Sequence, residues 1–310
     1  MTVFLRFFRS LALFIPLCIF AYWSLLMLWG AVFPAAARKN LRYFPGGYGY
    51  TQTRLEEVKK VGKVQYLFLG SSHAYRGFDN RLFDAAGINS FNLGSSAQTP
   101  VHTELLLNRY LSVLQPDTVV YEVYPGTFSA DGVESTLDLL SNDQIDWPIL
   151  QLSFAQRNVK VYNTALYVWT KQLLGLNGRV KEPPAKDDDT YVKGGYVERK
   201  LSFHPITSYP RLTWNLNKDQ LAAFERIIQK LKSNGTTVIL VQAPVSPSFA
   251  QSFTNKKEFD SLMTTFGNYL NFNGKLPLKD SLHFYDAHHL NQPGVEIFNK
   301  ALIQELRGNK

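Results

Sequence analysis

The stretch LALFIPLCIFAYWSLLMLWGAVF, Leu11 to Phe33, contains no charged residue. In hydrocarbon no water is present to satisfy backbone N–H and C=O groups, so a single such stretch can fold only as a helix. It is long enough to cross a bilayer core of ~30 Å. Pro16 is tolerated in such helices, and of Tyr22, Trp23 and Trp29 only the last lies near an expected interface. A secretory signal has a shorter apolar region, roughly 7–15 residues. The run PAAAR offers a cleavage site after Ala37, but length favours an uncleaved anchor in contact with membrane lipid. The expected order is a short tail over 1–10, a transmembrane helix over 11–33 and a connector over 34–63. The connector includes the Gly-rich FPGGYGYTQTR and a short helix in TRLEEVKKV. Arg6 and Arg9 precede the span while Arg38, Lys39 and Arg42 follow it, so charge alone does not orient it.

The rest of the 310-residue chain is large enough to bury a substantial core. The whole chain's net charge of +8 is scattered among acids, which suits a solvated basic surface or attraction to anionic headgroups or an acidic polymer. No motif that docks a base is present, so nucleic acid is not an expected partner. Cys18 is the one cysteine; it allows neither an intrachain disulfide nor a multi-cysteine metal site.

Beyond residue 63, apolar runs alternate with helical patterns. YLFL from Tyr66, INSFNLG from Ile88, TVVYEVY from Thr118, TTVILVQAP from Thr236 and a brief LHFYD from Leu282 read as strands. HTELLLNRYLSVL and KDQLAAFERIIQKLKSNG read as helices between them, the second ending on a glycine stop. Such alternation predicts an α/β domain over 64–306, with helices on both faces of a parallel sheet. An insertion at about 126–215 interrupts it. The insertion holds an aromatic helical stretch, QRNVKVYNTALYVWTKQLLGL, and a polar segment, NGRVKEPPAKDDDTYVKGGYVERK. The polar part reads as an exposed loop whose removal should leave the sheet domain folded, and the insertion as a cover for the catalytic edge or a partner contact.

Two places carry chemistry. The first is FLGSSHAYRGFD, where small residues follow a buried strand, at the sheet edge where open α/β folds bind ligands. Ser71 and Ser72 are there either as helix caps or, for one of them, as a nucleophile. The second is DAHHLNQPG near the far end, where two residues separate Asp286 from His289. An acid can orient an imidazole there while the imidazole takes a proton from a hydroxyl. First and last strand ends share one edge of a parallel sheet, so Ser72 and His289 can meet.

These blocks resemble the SGNH/GDSL hydrolase superfamily. FLGSSHAYRGFD matches its first block with Ser72 as nucleophile. NLGSSAQT matches the second, with Gly94 as the glycine whose N–H supports the oxyanion together with Ser72 N–H. DAHHLNQPG matches the last, with Asp286 and His289 completing a triad. The third block, Gly-x-Asn-Asp, is not matched: in YEVYPGT, Glu122, Tyr124 and Pro125 occupy the strand end where the asparagine belongs. Asn92, Ser95 or Gln98 then become candidates for a further oxyanion donor, and His73 for a substrate contact. The resemblance implies a flavodoxin-like three-layer sandwich with a central parallel sheet, attached to one N-terminal transmembrane helix. The subgroup of closest resemblance also lacks the third block. It comprises the membrane-anchored proteins of cell-envelope O-acylation, similar to those of alginate O-acetylation and teichoic-acid D-alanylation.

That resemblance implies a membrane-anchored serine O-acyltransferase with its large C-terminal part outside the cytoplasm. It would move an acyl group from a donor, through acyl-Ser72, to a polysaccharide or other envelope polymer. It would work beside a multi-spanning membrane-bound O-acyltransferase. A carbohydrate O-acetyl esterase of the same fold and a non-catalytic docking partner are the alternatives. No cofactor is expected. His283, His288 and His289 match no standard metal spacing, so no metal is expected either. His73 is otherwise a turn residue, His102 a helix cap or surface residue, and Arg76 an exposed or ion-paired side chain. Tyr162, Tyr167 and Trp169 are expected in core or membrane-proximal packing.

Overall fold

The computed structural model describes residues 2–308 except 179, 202, 203 and 206. In chain order the strands are β1 Tyr66–Leu69, β2 Ser90–Asn92, β3 Thr118–Glu122, β4 Ala185–Lys186, β5 Asp189–Val192, β6 Tyr196–Arg199, β7 Thr237–Gln242 and β8 Asn268–Asn271. Five form one parallel sheet in the order β2-β1-β3-β7-β8. Counted among themselves these are strands 2-1-3-4-5, the flavodoxin-like doubly wound order. Side chains alternate across a strand, and here the alternation builds two cores. Leu67, Leu69, Val119, Tyr121 and Leu240 face one; Tyr66, Phe68, Val120, Ile239 and Val241 face the other.

Helices Thr51–Val61, Pro100–Leu114, Lys218–Ser233 and Lys256–Phe266 contribute to the first core. Helices Ser72–Gly77, Asn80–Ala85 and Gln292–Gly308 contribute to the second. The Lys218–Ser233 helix shows why such sequences fold as they do. Asn217 caps its first turn by accepting from Asp219 N–H at 2.8 Å. Phe224, Ile227, Ile228 and Leu231 form its buried stripe, and Lys230 and Lys232 sit at the negative end of its dipole. The domain is thus an α/β sandwich around a parallel sheet, as expected.

One strand expectation is corrected. LHFYD is no strand of the sheet: Asp280–His283 is a helical turn, after which Phe284 is buried and makes an isolated bridge to Leu290. The fifth sheet strand is β8, whose sequence NYLN is half exposed. An edge strand that buries little needs no apolar run, so its sequence carries little signal.

The insertion is also more structured than expected. Helices Pro125–Ser129, Val133–Asn142, Trp147–Ala155 and Val159–Leu173 come first, and Leu139, Leu140, Ile149 and Val161 belong to the same core as the sheet. The polar segment is not an exposed loop. It forms the antiparallel sheet β4-β5-β6, with Tyr196 and Val197 buried. The buried Arg54 guanidinium donates twice to Gly195 O, at 2.9 and 2.8 Å, and Asn92 N–H donates to Gly194 O at 2.7 Å. A Cβ on Gly195 would lie 2.2 Å from Asn92 O, so only glycine permits this approach. Deleting the segment would strand a buried cation, which reverses the expectation that the sheet domain folds without it.

The N-terminal helix runs unbroken from Thr2 to Val32 through Pro16. It is bare through Ala21 and then packs on Val159–Leu173. Tyr22 OH donates to Asn163 Oδ1, Trp23 Nε1 donates to Thr170 Oγ1 at 3.0 Å, and Leu26 is buried. The chain that follows is held too: Leu41 is buried and Asn163 Nδ2 donates to Asn40 O at 3.0 Å.

Candidate active site

β1 ends at Leu69, and the φ of 137° at Gly70 lets the chain turn sharply after it. A Cβ there would meet Glu122 Cβ at 2.9 Å. Ser71 caps the next helix and is buried; its Oγ accepts weakly from His73 N–H at 3.4 Å. Ser72 is the first helical residue. Across the edge, the Tyr285–Leu290 bend folds back on Asp286. Asp286 Oδ1 accepts from the N–H groups of His288 and His289 at 2.9 and 2.8 Å. Its Oδ2 lies 2.8 Å from His289 Nδ1, and His289 Nε2 lies 2.8 Å from Ser72 Oγ. An ionised Asp286 requires the imidazole proton on Nδ1, leaving Nε2 to accept from the serine.

The electrostatics suit that direction of proton flow. Burial alone would raise the Asp286 carboxyl. The hydrogen bond from His289, with the charges of His289 and His288, overcomes it and holds the carboxyl far below the usual range. Burial pushes His289 below its ordinary value against the pull of Asp286, so it rests neutral. Tyr285 stacks on the His289 ring at 5.4 Å and His73 at 4.8 Å, which restricts its rotation.

His73 and His288 extend the cluster. His73 Nδ1 is 3.2 Å from Ser71 Oγ, and its Nε2 is 3.2 Å from His288 Nδ1. Burial lowers His73 well below the normal value and brings His288 down to about 4. Ligand nitrogens of His73, His288 and His289 all lie within 4.8 Å of one another, but both His289 nitrogens are committed to Asp286 and Ser72. His283 is not in this group; its Nδ1 accepts from Lys279 N–H at 2.9 Å.

The anion side differs from expectation. Gly94 N–H donates to Asn92 Oδ1 at 3.1 Å. Gly94 is required for space: a Cβ would sit 2.9 Å from Ser71 O. Asn92 Nδ2 is spent on Ala74 O at 2.8 Å and Phe78 O at 3.4 Å. Ser95 Oγ donates to Gln98 Oε1 at 2.8 Å, and Gln98 Nε2 donates to Thr103 Oγ1 at 2.9 Å. The N–H of Ser72 opens its helix, so the helix supplies it no acceptor. At the β3 end Tyr124 lies against His73, ring centroids 4.1 Å apart. Pro125 begins a helix, and burial raises the Glu122 carboxyl to about 8 against the backbone amides of Ala243 and Tyr124.

The triad opens into a cleft of about 810 Å³, whose walls include Arg42, Tyr48, Ala97, Tyr124 and Arg199. Sequence reasoning placed Tyr124 at this strand end but missed Arg42, Tyr48, Ala97 and Arg199. Arg42 and Tyr48 come from the connector, Ala97 takes a left-handed φ of 48° that no residue type announces, and Arg199 is carried in by β6. Arg76 is buried in a bidentate pair with Asp189 at 2.8 Å, so it is ion-paired rather than exposed. His102 is neither a cap nor a surface group. It is fully buried between Thr99 Oγ1 at 2.7 Å and Thr136 Oγ1 at 2.8 Å. Tyr167 is buried against Gly30, Tyr162 OH donates to Phe154 O at 3.1 Å, and Trp169 is exposed.

Comparison with known proteins returns fold neighbours only. A GDSL-like lipase from Bacteroides thetaiotaomicron VPI-5482 superposes with a TM-score of 0.43 at 13% identity, covering 84% of this chain and 99% of that one. A provisionally assigned acylhydrolase from Bacteroides fragilis NCTC 9343 gives 0.40 at 12% identity, covering 84% and 95%. No family model matches the chain, and no curated protein matches it.

Proposed function

We propose that this protein is a membrane-anchored serine acyltransferase that works through an acyl-Ser72 intermediate on a polysaccharide or other envelope polymer outside the cytoplasm. The observation that carries this reading is the unbroken Ser72–His289–Asp286 chain, 2.8 Å at each link, inside an open cleft. Ser72 Oγ attacks the acyl carbonyl carbon as its proton passes to His289 Nε2. The tetrahedral intermediate collapses, the leaving group takes that proton, and an acyl ester remains on Ser72. An acceptor hydroxyl then gives its proton to His289, attacks the ester and restores the serine.

A sugar hydroxyl as acceptor makes a transferase and water makes an esterase; the triad serves both. The N-terminal span and the SGNH-like motif order favour transfer, with the acyl donor supplied at the membrane by a multi-spanning O-acyltransferase. A docking role without turnover is the second reading, favoured by the hydrogen bonds that already engage Gly94 N–H and the Asn92 amide.

Incubation with p-nitrophenyl acetate followed by mass spectrometry tests the proposal. An acetyl adduct on the peptide bearing Ser72, absent in Ser72→Ala, is expected. An adduct that persists in Ser72→Ala refutes the nucleophile assignment, and the lack of any adduct favours docking. Adding an oligosaccharide acceptor separates transfer from hydrolysis by the product formed.

A further inference from the structure

We infer that the insertion helices Trp147–Ala155 and Val159–Leu173 lie in the interfacial layer of a lipid bilayer, giving the domain a second, non-spanning membrane contact. This placement rests on the reading that Thr2–Val32 crosses that bilayer. The apolar helix Val3–Val32 holds 30 residues, which at 1.5 Å per residue is about 45 Å. A hydrocarbon core of ~30 Å needs only about 20 of them. Arg6 and Arg9 belong with the headgroups at the N-terminal end. Counting about 20 residues onward from there carries the core nearly to Gly30.

Tyr22, Trp23, Leu26 and Gly30, the segment that packs on Val159–Leu173, therefore lies in the second leaflet and its interface. The direction of the partner helix agrees. Tyr22 and Trp23 are neighbours, yet they bond to Asn163 and Thr170, positions about 10 Å apart along a helix. The insertion helix crosses the span rather than running beside it, as a helix lying in the membrane plane must.

The outward residues are those such a position requires. Trp169 is 41% exposed, Leu173 66%, Leu174 59% and Leu176 56%, and on the adjoining helix Trp147 is 65% and Phe154 63% exposed. The two helices join through the Phe154 and Tyr162 rings, 6.1 Å apart. A water-facing helix pair rarely exposes so many large apolar side chains, whereas tryptophan and leucine at headgroup depth are favoured beside polar residues such as Gln151 and Gln172. The polar groups nearest the span are meanwhile satisfied inward: Asn163 and Thr170 bind Tyr22 and Trp23, and Lys171 lies over the Tyr43 ring.

Full-length protein in phosphatidylethanolamine–phosphatidylglycerol vesicles provides the test. An environment-sensitive fluorophore is placed on Phe154→Cys, Leu173→Cys or, as an exposed control, Gln229→Cys, each in a Cys18→Ser background. Native Cys18 carries the fluorophore in a separate sample. Shallow spin-labelled lipid should quench Phe154→Cys and Leu173→Cys several-fold more than Gln229→Cys, while deep spin-labelled lipid quenches Cys18. Quenching at Cys18 with water-like emission at 154 and 173 would leave the span standing and overturn the interfacial placement. Loss of quenching at Cys18 would overturn both. Shielding of 154 and 173 that occurs only in native membranes would overturn the placement in favour of a protein partner.

Discussion

The two sides of the Ser72 hydroxyl are built to different standards. On the proton side every atom has its partner: Asp286 takes two backbone amides and the imidazole, and His289 reaches the serine at 2.8 Å. On the anion side the expected donors are occupied. Gly94 N–H faces Asn92, Asn92 faces backbone carbonyls, and Gln98 faces Ser95 and Thr103. Activating a nucleophile and stabilising the negative charge it creates are separate tasks, and this fold has completed the first more visibly than the second. In serine hydrolases one oxyanion donor is worth ~2.7–4 kcal/mol. For the acyl transfer proposed above, a thin hole implies slow intrinsic turnover or a donor that arrives with substrate or partner.

The largest effect expected on the proton side comes from Ser72→Ala and His289→Ala. Each should lower acylation by roughly 10⁴-fold or more, with the thermal midpoint nearly unchanged for the serine variant. A working His289→Ala enzyme would dissolve the contrast. Asp286→Asn should follow at roughly 10³–10⁴-fold, because the imidazole is then free to take the wrong tautomer.

Asn92→Ala probes the other side. Its amide holds backbone rather than an oxyanion, so rate should fall less than about 10-fold. Stability should drop by about 1–3 kcal/mol as buried carbonyls lose their donor. A rate loss of 10²-fold or more with stability retained would make it a direct donor after all.

The pH profile comes next. His289 is active when neutral and its folded value lies below the ordinary 6.5, so the acid limb of kcat/KM should fall below pH 6.5. Buried neutral His73, His102 and His288 also resist protonation in the folded state. The stability they confer is complete above the unfolded value and lost as pH falls through their lowered ones, about 4 for His288 and about 3 for His102. Thermal denaturation followed downward from pH 7 should show it.

The smallest effect is that of Glu122→Gln. Burial holds this acid protonated up to about 8. In the native protein it costs stability as pH rises from the unfolded carboxyl value through 8, and the amide removes that cost. A thermal midpoint raised by about a few degrees at pH 9 and nearly unchanged at pH 4, below the unfolded carboxyl value, is expected; equal shifts at both would refute the assignment.

What the sequence disclosed follows from how each part is specified. β1, β3 and β7 bury both faces, so their apolar runs are continuous and visible. Ser72, Asp286 and His289 stand in short local blocks whose spacing survives folding. β8 escaped notice because its surroundings ask little of its side chains. The polar segment of the insertion looked like a loop because its order comes from groups far away in the chain, Arg54 and Asn92 above all. The state of the Gly94 amide depends on where one asparagine side chain points, and residue type does not encode that.

The attachment of the first helix has a mechanical consequence. Leu26 and Leu41 share a core with Leu139 and Val161, so no slack leash separates helix from domain. A body on a flexible tether sweeps a hemisphere and meets targets across its whole radius. A body bolted to its post works at one altitude. With that post upright in a membrane, Ser72 would sit at a set height above it. Lengthening the 34–63 segment with glycine and serine would leave the bolt in place, because the fastening is made by Tyr22 and Trp23 below it. Cutting back Tyr22, Trp23 and Leu26 would loosen that fastening, while Leu41 still holds the chain beyond it.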